Sequence, residues 1–129
     1  MAAIYVTGTT PEMMDSRDLI EWVAEYNENT ENQSFASEPW EAVQEAINTR
    51  KAIRELELAG FEDWEYGATF IRDDYFKEYA QDLAADIGSI PEAGSSQWPL
   101  YCIDWEYAAK ELQKDYTTAE FLGVTYWAR

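Results

Sequence analysis

The segment DDYFKEYAQDLAADIG, Asp73 to Gly88, carries the clearest periodicity in the chain. Phe76, Tyr79, Ala80, Leu83, Ala84 and Ile87 recur at three- and four-residue spacing, which predicts an amphipathic helix with these residues on its apolar face. Asp74, Glu78, Asp82 and Asp86 step by four along another face, drifting about 40° per step. Like charges at i,i+4 weaken a helix by roughly 0.2–0.5 kcal/mol per pair, so local stability does not favour this row. The pattern nevertheless recurs elsewhere, and that recurrence is the main functional signal.

Toward the N-terminus the patterns alternate. Ala3 to Thr7 (AIYVT) has the β-branched and aromatic content of a short strand, and Gly8 and Pro11 punctuate a turn after it. Asp15 or Ser16 can N-cap a first helix from about Arg17 to Glu28, with Leu19, Val23 and Tyr26 inward and Trp22 at the margin. Asp18, Glu21, Glu25 and Glu28 fall within an arc of about 80° on its other side. Residues 27–36 are polar and aperiodic and read as a loop. A second helix spans Ser37 to Ala59. Ser37 is its expected cap, Pro39 falls in its first turn, Glu38 and Glu41 suit the positive end of the dipole, and Gly60 suits the position just past the end. Its stripe of Ala42, Ala46, Thr49, Ile53 and Leu56 predicts antiparallel packing on the first helix as a hairpin.

Phe61 to Gly67 (FEDWEYG) is an acidic, aromatic connector, and Ala68 to Ile71 reads as a short strand. Asp73 is the expected cap of the helix that follows. The segment SIPEAGSSQWPLYC (89–102) is an irregular loop expected to be held down by Ile90 and Trp98. Asp104 caps a fourth helix to about Asp115, with Trp105, Ala108, Ala109 and Leu112 inward. The end, TTAEFLGVTYWAR (117–129), predicts a β-hairpin of Thr117 to Phe121 and Val124 to Ala128 around a tight turn at Leu122-Gly123. The fold class is therefore α+β in one domain over 1–129. It has about four helices, including an N-terminal helical hairpin in 1–60, and a small antiparallel sheet containing the C-terminal hairpin in 61–129.

With 129 residues, 47% hydrophobic and 16% aromatic, the chain can bury a real core and is not an acidic disordered tail. Six Trp and nine Tyr exceed what a small core needs, so Tyr126 and Trp127, or Trp64 and Tyr66, are candidates for an oligomer contact; core packing is the stronger reading of them. No apolar run approaches a membrane span, and MAAIYVTGTTPEMMDS lacks the basic and apolar regions of a signal peptide. The single cysteine, Cys102, allows no internal disulfide and reads as a core thiol. These features point to the cytoplasm.

Much chemistry is excluded. Without histidine there is no Ser-His-Asp or Cys-His catalysis and no imidazole metal ligand. One cysteine makes no structural zinc site, and no Walker A or G-x-G-x-x-G loop is present. Carboxylates alone could still serve a hydrolase or hold Mg²⁺ or Ca²⁺, and Asp73-Asp74, Glu62-Asp63 and Asp104 with Glu106 are the tightest groups. None has EF-hand spacing, and each serves equally as a cap or solvated turn. We read no enzyme, cofactor or metal from the sequence.

Charge is the outlier. Twenty-six acids against nine bases leave a net charge of −17. Such a field repels nucleic acid and anionic membranes and attracts basic surfaces, above all those built to hold DNA. A solvated, solubility-adapted surface is the plainer alternative. From Asp18 through Thr49 there are eight acids and no Lys or Arg, and the basic cluster Arg50, Lys51 and Arg54 follows. Ordinary polar faces mix signs. Here Asp18, Glu21, Glu25 and Glu28 form one row, Asp74, Glu78, Asp82 and Asp86 another, and Glu38, Glu41 and Glu45 begin a third. A duplex strand carries a phosphate about every 3.4 Å, and such rows carry a carboxylate about every 5–6 Å, so helices side by side would approach duplex charge density.

The second half resembles the C-terminal part of ArdA-type antirestriction proteins and their short phage-borne relatives. The resemblance rests on DDYFKEYAQDLAADIG (73–88), a Pro-containing loop, IDWEYAAKELQKDY (103–116) and GVTYWAR (123–129), about half of the chain. It implies an acidic, elongated dimer that mimics bent duplex DNA, occupies the DNA-binding channel of type I restriction-modification enzymes and has no enzymatic activity. By this likeness Asp74, Glu78, Asp82, Asp86, Asp104, Glu106 and Glu111 are partner-binding carboxylates.

The expectation is a DNA mimic that inhibits a DNA-binding host defence nuclease in the cytoplasm of a bacterium. Its partner is a protein surface, with neither nucleic acid nor membrane bound, and a homodimer is left open. The rival readings are an acidic adaptor for a basic regulatory partner and a carboxylate-only hydrolase or metal protein.

Overall fold

A computed structural model describes residues 7–31, 38–90 and 98–129. The expected strand at Ala3 to Thr7 and the cap at Ser37 lie outside these residues, except for Thr7, which sits in a turn. The described elements are β1 (Met13–Asp15), α1 (Ser16–Glu31), α2 (Trp40–Leu58), β2 (Thr69–Arg72), α3 (Phe76–Asp86), α4 (Trp105–Gln113), β3 (Thr117–Phe121) and β4 (Val124–Ala128). Short 3₁₀ turns at Asp73–Tyr75 and Leu100–Cys102 lead toward α3 and α4. The chain is α+β, and the described strands form an antiparallel sheet in the order β1-β2-β4-β3.

The sheet separates two cores because successive strand residues point to opposite faces. Phe70 and its partner Met14 face one side, together with Phe121, Tyr126 and Ala128; α1 and α2 cover that side with Leu19, Trp22, Ile53 and Leu56. Ile71 and its partner Trp127 face the other, where Phe76 and Ala80 of α3 and Ala109 of α4 close over them. The molecule is thus three layers, with a helical pair on each face of the sheet. Trp64 and Phe61 from the connector stand edge-on to Phe70. Tyr126 is fully buried, and Trp127 is packed against the second core, so both belong to the interior.

The C-terminal hairpin has the expected bounds, with Phe121 opposite Val124. Leu122 and Gly123 have φ of 52° and 79°, the pair of positive values that a two-residue turn of matching twist requires. Leucine accepts this backbone while its side chain packs against the first core. Asp104 caps α4 as expected, its carboxylate accepting the Tyr107 N–H at 3.1 Å. The helical hairpin is present, and α1 and α2 run antiparallel: Tyr26 and Asn29 share a groove with Glu38 and Ala42, while Ile20 and Val23 meet Ile53 and Glu57.

Several expectations are corrected. The first helix continues through Glu31, five of the residues expected in a loop being helical (27–31). Ser16 does not cap it; the Asp15 carboxylate takes the free Arg17 N–H, and Ser16 is buried. Helix α2 begins at Trp40, so Pro39 precedes it in an extended conformation and Glu38 lies outside it. Asp73 makes no cap and instead accepts the Trp127 indole N–H at 2.8 Å, the helix starting only at Phe76 after a 3₁₀ turn. Ile87, expected on the apolar face of the helix, is 67% exposed because α3 ends before it. Of the two residues expected to hold the following loop down, Ile90 is buried but Trp98 is 74% exposed and stands clear of both cores. Ala42 is exposed, and so is Cys102, which sits in the 3₁₀ turn before α4 and not in the core. The strand β1 was hidden by its length of three residues.

Ser16 joins the layers. Its hydroxyl donates to the Trp64 carbonyl and accepts the Ala68 N–H, both at 2.7 Å, and its own N–H donates to the Ala68 carbonyl. Ser16→Ala leaves two buried backbone groups unpaired, and it should lower unfolding free energy in urea by roughly 1–3 kcal/mol. An unchanged midpoint would show that water reaches these groups. A second expectation concerns alkaline pH. Burial pushes the Tyr126 hydroxyl up to about 12, against about 10 in an unfolded chain. The folded state keeps a proton that the unfolded state releases, so this stability is whole below pH 10 and is lost as pH rises toward 12. Tyr126→Phe should flatten that alkaline decline in a pH series of urea midpoints. An equally steep decline would assign it elsewhere.

Candidate functional site

The expected carboxylates divide by layer. On the α1–α2 side, Glu21 and Glu28 are exposed and Asp18 and Glu25 half-buried. Glu38, Glu41 and Glu45 are exposed on the segment that enters α2 and on its first turns. Because the hairpin is antiparallel, the acidic C-terminal half of α1 meets the acidic start of α2. Glu25 and Glu38 line one groove of about 350 Å³ between the two helices. Thr7 and Gly8 cross this end of the hairpin: Thr7 accepts the Trp22 indole N–H at 2.6 Å, and the Gly8 N–H donates to the buried Thr49 hydroxyl at 2.9 Å. The Glu45 side chain lies directly over Gly8, where a side chain would collide with it.

On the other side, Glu78, Asp82 and Asp86 are exposed along α3. Asp74 departs from that row. It lies in the 3₁₀ turn, and the Arg72 guanidinium donates to it at 2.6 Å. Arg72 also donates to the Thr10 carbonyl, so it pins the segment before β1 and fixes Asp74 for a structural reason. On α4, Asp104 is engaged as a cap and Glu111 by Lys114 at 2.8 Å, while Glu106 is exposed. The rows of α1 and α3 are therefore not side by side; the sheet lies between them.

Few of these charges are compensated. The ion pairs among the described residues are Arg17–Asp15, Arg72–Asp74 and Lys114–Glu111. Asp18 adds to the negative field that raises the Arg17 pKa, which is set chiefly by the hydrogen bond to Asp15. Lys114 first, then the Tyr107 hydroxyl, holds the Glu111 carboxyl below its ordinary range. Glu21, Glu25, Glu28, Glu38, Glu41, Glu45, Glu78, Asp82, Asp86 and Glu106 have no ion-pair partner among the described residues. Within those residues no group of three or more acids or thiols has the arrangement of a metal site, and no helix is long and apolar enough to cross a membrane.

Two features were not legible as site elements. Trp22 and Tyr26 stack at 5.4 Å with an interplanar angle of 19° and form a wall of the α1–α2 groove, although their spacing alone reads as core. Trp98, Tyr101 and Tyr107 are exposed around the start of α4. Of the connector aromatics, Trp64 is buried and Tyr66 exposed. No protein-family model, curated protein or solved structure matched the chain.

The carboxylates of these rows repel one another, and salt screens that repulsion, the Debye length falling from about 10 Å at 0.1 M to about 3 Å at 1 M. Raising sodium chloride across this range should increase the melting temperature by several degrees, read by circular dichroism. A melting temperature that stays level or falls would mean the carboxylates do not strain the fold.

Proposed function

We propose that the chain is a DNA mimic that inhibits a DNA-binding defence nuclease of a bacterial host, with type I restriction-modification enzymes as the first target class. The observation that carries this reading is the set of exposed carboxylates without ion-pair partners, arranged in rows on α1, on the entry to α2 and on α3. A surface adapted only for solubility gains nothing from excluding cations from whole helix faces. A phosphate mimic requires it, because the partner's Lys and Arg must find those carboxylates free. The resemblance of 73–88, 103–116 and 123–129 to ArdA-type proteins supports the same function and a cytoplasmic site of action. The absence of any histidine is consistent with inhibition by occupancy, without a reaction.

A second reading has its own support. Exposed Trp98, Tyr101 and Tyr107 offer aromatic contact area that a phosphate mimic does not need, and they suit an adaptor binding a protein partner away from any DNA channel. Competition separates the two, since duplex DNA must displace a mimic and leaves an adaptor's partner bound.

The test uses a purified type I restriction-modification enzyme with labelled duplex DNA. The protein should displace DNA, with an apparent affinity that falls steeply as salt rises. Since Asp74 is held by Arg72, the informative neutralisation is Glu78→Gln, Asp82→Asn and Asp86→Asn together, with Glu21→Gln, Glu25→Gln and Glu28→Gln as the matching set on α1. At least one set should weaken displacement about tenfold or more while the circular dichroism spectrum is retained. Full inhibition by both folded variants would remove the rows from the mechanism.

A further inference from the structure

The groove between α1 and α2 has a composition that charge mimicry alone does not explain. Trp22, Glu25 and Tyr26 enter it from α1, at spacings that place them on one helix face, and Glu38, Ala42 and Ala46 enter from the opposite side. The groove exists because two alanines stand opposite two aromatic rings, so the helices leave a gap where larger side chains would have closed it. Its volume of about 350 Å³ lies at the small end of ligand pockets. The α1 wall is aromatic, a carboxylate stands on each side, and no Lys or Arg lines it among the described residues. An aromatic face attracts a cation by its quadrupole, and a carboxylate adds a charge-assisted hydrogen bond. A planar guanidinium uses both, because it stacks, is weakly hydrated and forks onto carboxylates; an ammonium is a compact, strongly hydrated point charge.

We propose that this groove receives one arginine side chain of the partner protein, as an anchor point within the larger acidic surface. The choice of a protein's arginine rests on the DNA-mimic reading, since surfaces that hold DNA present arginines to phosphates. The preference for a guanidinium rests on the groove alone. Elsewhere along the rows, carboxylates on open helix faces would contribute long-range attraction that salt screens. In the groove, a partly enclosed cation between rings and carboxylates is screened less, so this contact would set orientation.

The probe is a capped Gly-Arg-Gly peptide, titrated into the full chain and followed by NMR. The Trp22 indole N–H, held by Thr7, gives a resonance inside the site. A saturable shift at Trp22 and Tyr26 is expected, with the corresponding lysine peptide weaker. Glu25→Gln and Glu38→Gln should each weaken the peptide by up to about fivefold. Ala42→Leu changes an exposed position, keeps every charge and fills the gap, so it should abolish the shift. Shifts spread evenly over all acidic segments, or binding unchanged by Ala42→Leu, would reduce the effect to general counterion attraction and overturn the proposal. Displacement of DNA from the restriction enzyme is read separately. Its failure alongside a specific peptide shift would sink the DNA-mimic reading and leave the arginine site; its success without that shift would do the reverse.

Discussion

Everything in this molecule hangs on two adjacent residues of a central strand. Phe70 and Ile71 are both fully buried, yet they belong to different cores, one under α1 and α2 and the other under α3 and α4. The strict two-residue alternation of a strand makes this unavoidable, and a slip of one residue would exchange the two cores. Strand β4 repeats the device, with Tyr126 and Ala128 on the first side and Trp127 on the second. Four strands of three to five residues would be a weak sheet alone, but here each face is covered by a helical pair. The apolar faces of the helices are consumed by this arrangement. Their acidic faces are left outside.

That division explains how a chain of net charge −17 folds at all. Repulsion between exposed carboxylates is distributed over two outer surfaces, and water screens it. The interior meanwhile contains no buried side-chain polar atom without a partner among the described residues. Among the described residues the buried polar side chains are Ser16 and Thr49, and each donates and accepts, so neither weakens the core. The ion pairs that do form are local. Arg72–Asp74 and Arg17–Asp15 sit at the sheet ends of helical segments and fix chain entry, and with one partner of each exposed to water they contribute little more than that.

How much of this was legible depended on the range of the interaction involved. The C-terminal hairpin, the Asp104 cap and the pairing of the first two helices were read correctly because each is set by neighbouring residues: a Leu-Gly turn, an Asx cap, a periodic stripe. Ile87, Trp98 and Cys102 were misplaced because they are apolar residues whose burial depends on where distant elements happen to end. Asp73 and Asp74 were misassigned because the indole of Trp127 and the guanidinium of Arg72 compete for them with the helix start, and nothing local announces that competition. The acidic rows were legible as patterns, but their relation in space was not. It is decided by the crossing of the chain from one face of the sheet to the other between β2 and α3. The α1–α2 groove was invisible for a similar reason, since it needs Ala42 and Ala46 to lie opposite Trp22 and Tyr26.

The placement of the rows on opposite outer faces bears on what kind of partner surface they suit. Helices side by side would offer one dense acidic strip to one flat basic wall. A sandwich with carboxylates on both faces offers charge in two directions, which matches a cleft or channel better than a plane. A duplex does the same, since its two strands present phosphates around the whole circumference and enzymes that hold it contact both. On the reading proposed above, the sheet therefore acts as a spacer between two charged faces, and its thickness with the helices sets how wide an opening the chain can fill. The two faces then have unequal roles. The α3 row, on an open helix surface, supplies attraction without fixed geometry, whereas the α1–α2 face adds a shaped groove whose aromatic wall makes one orientation better than the others.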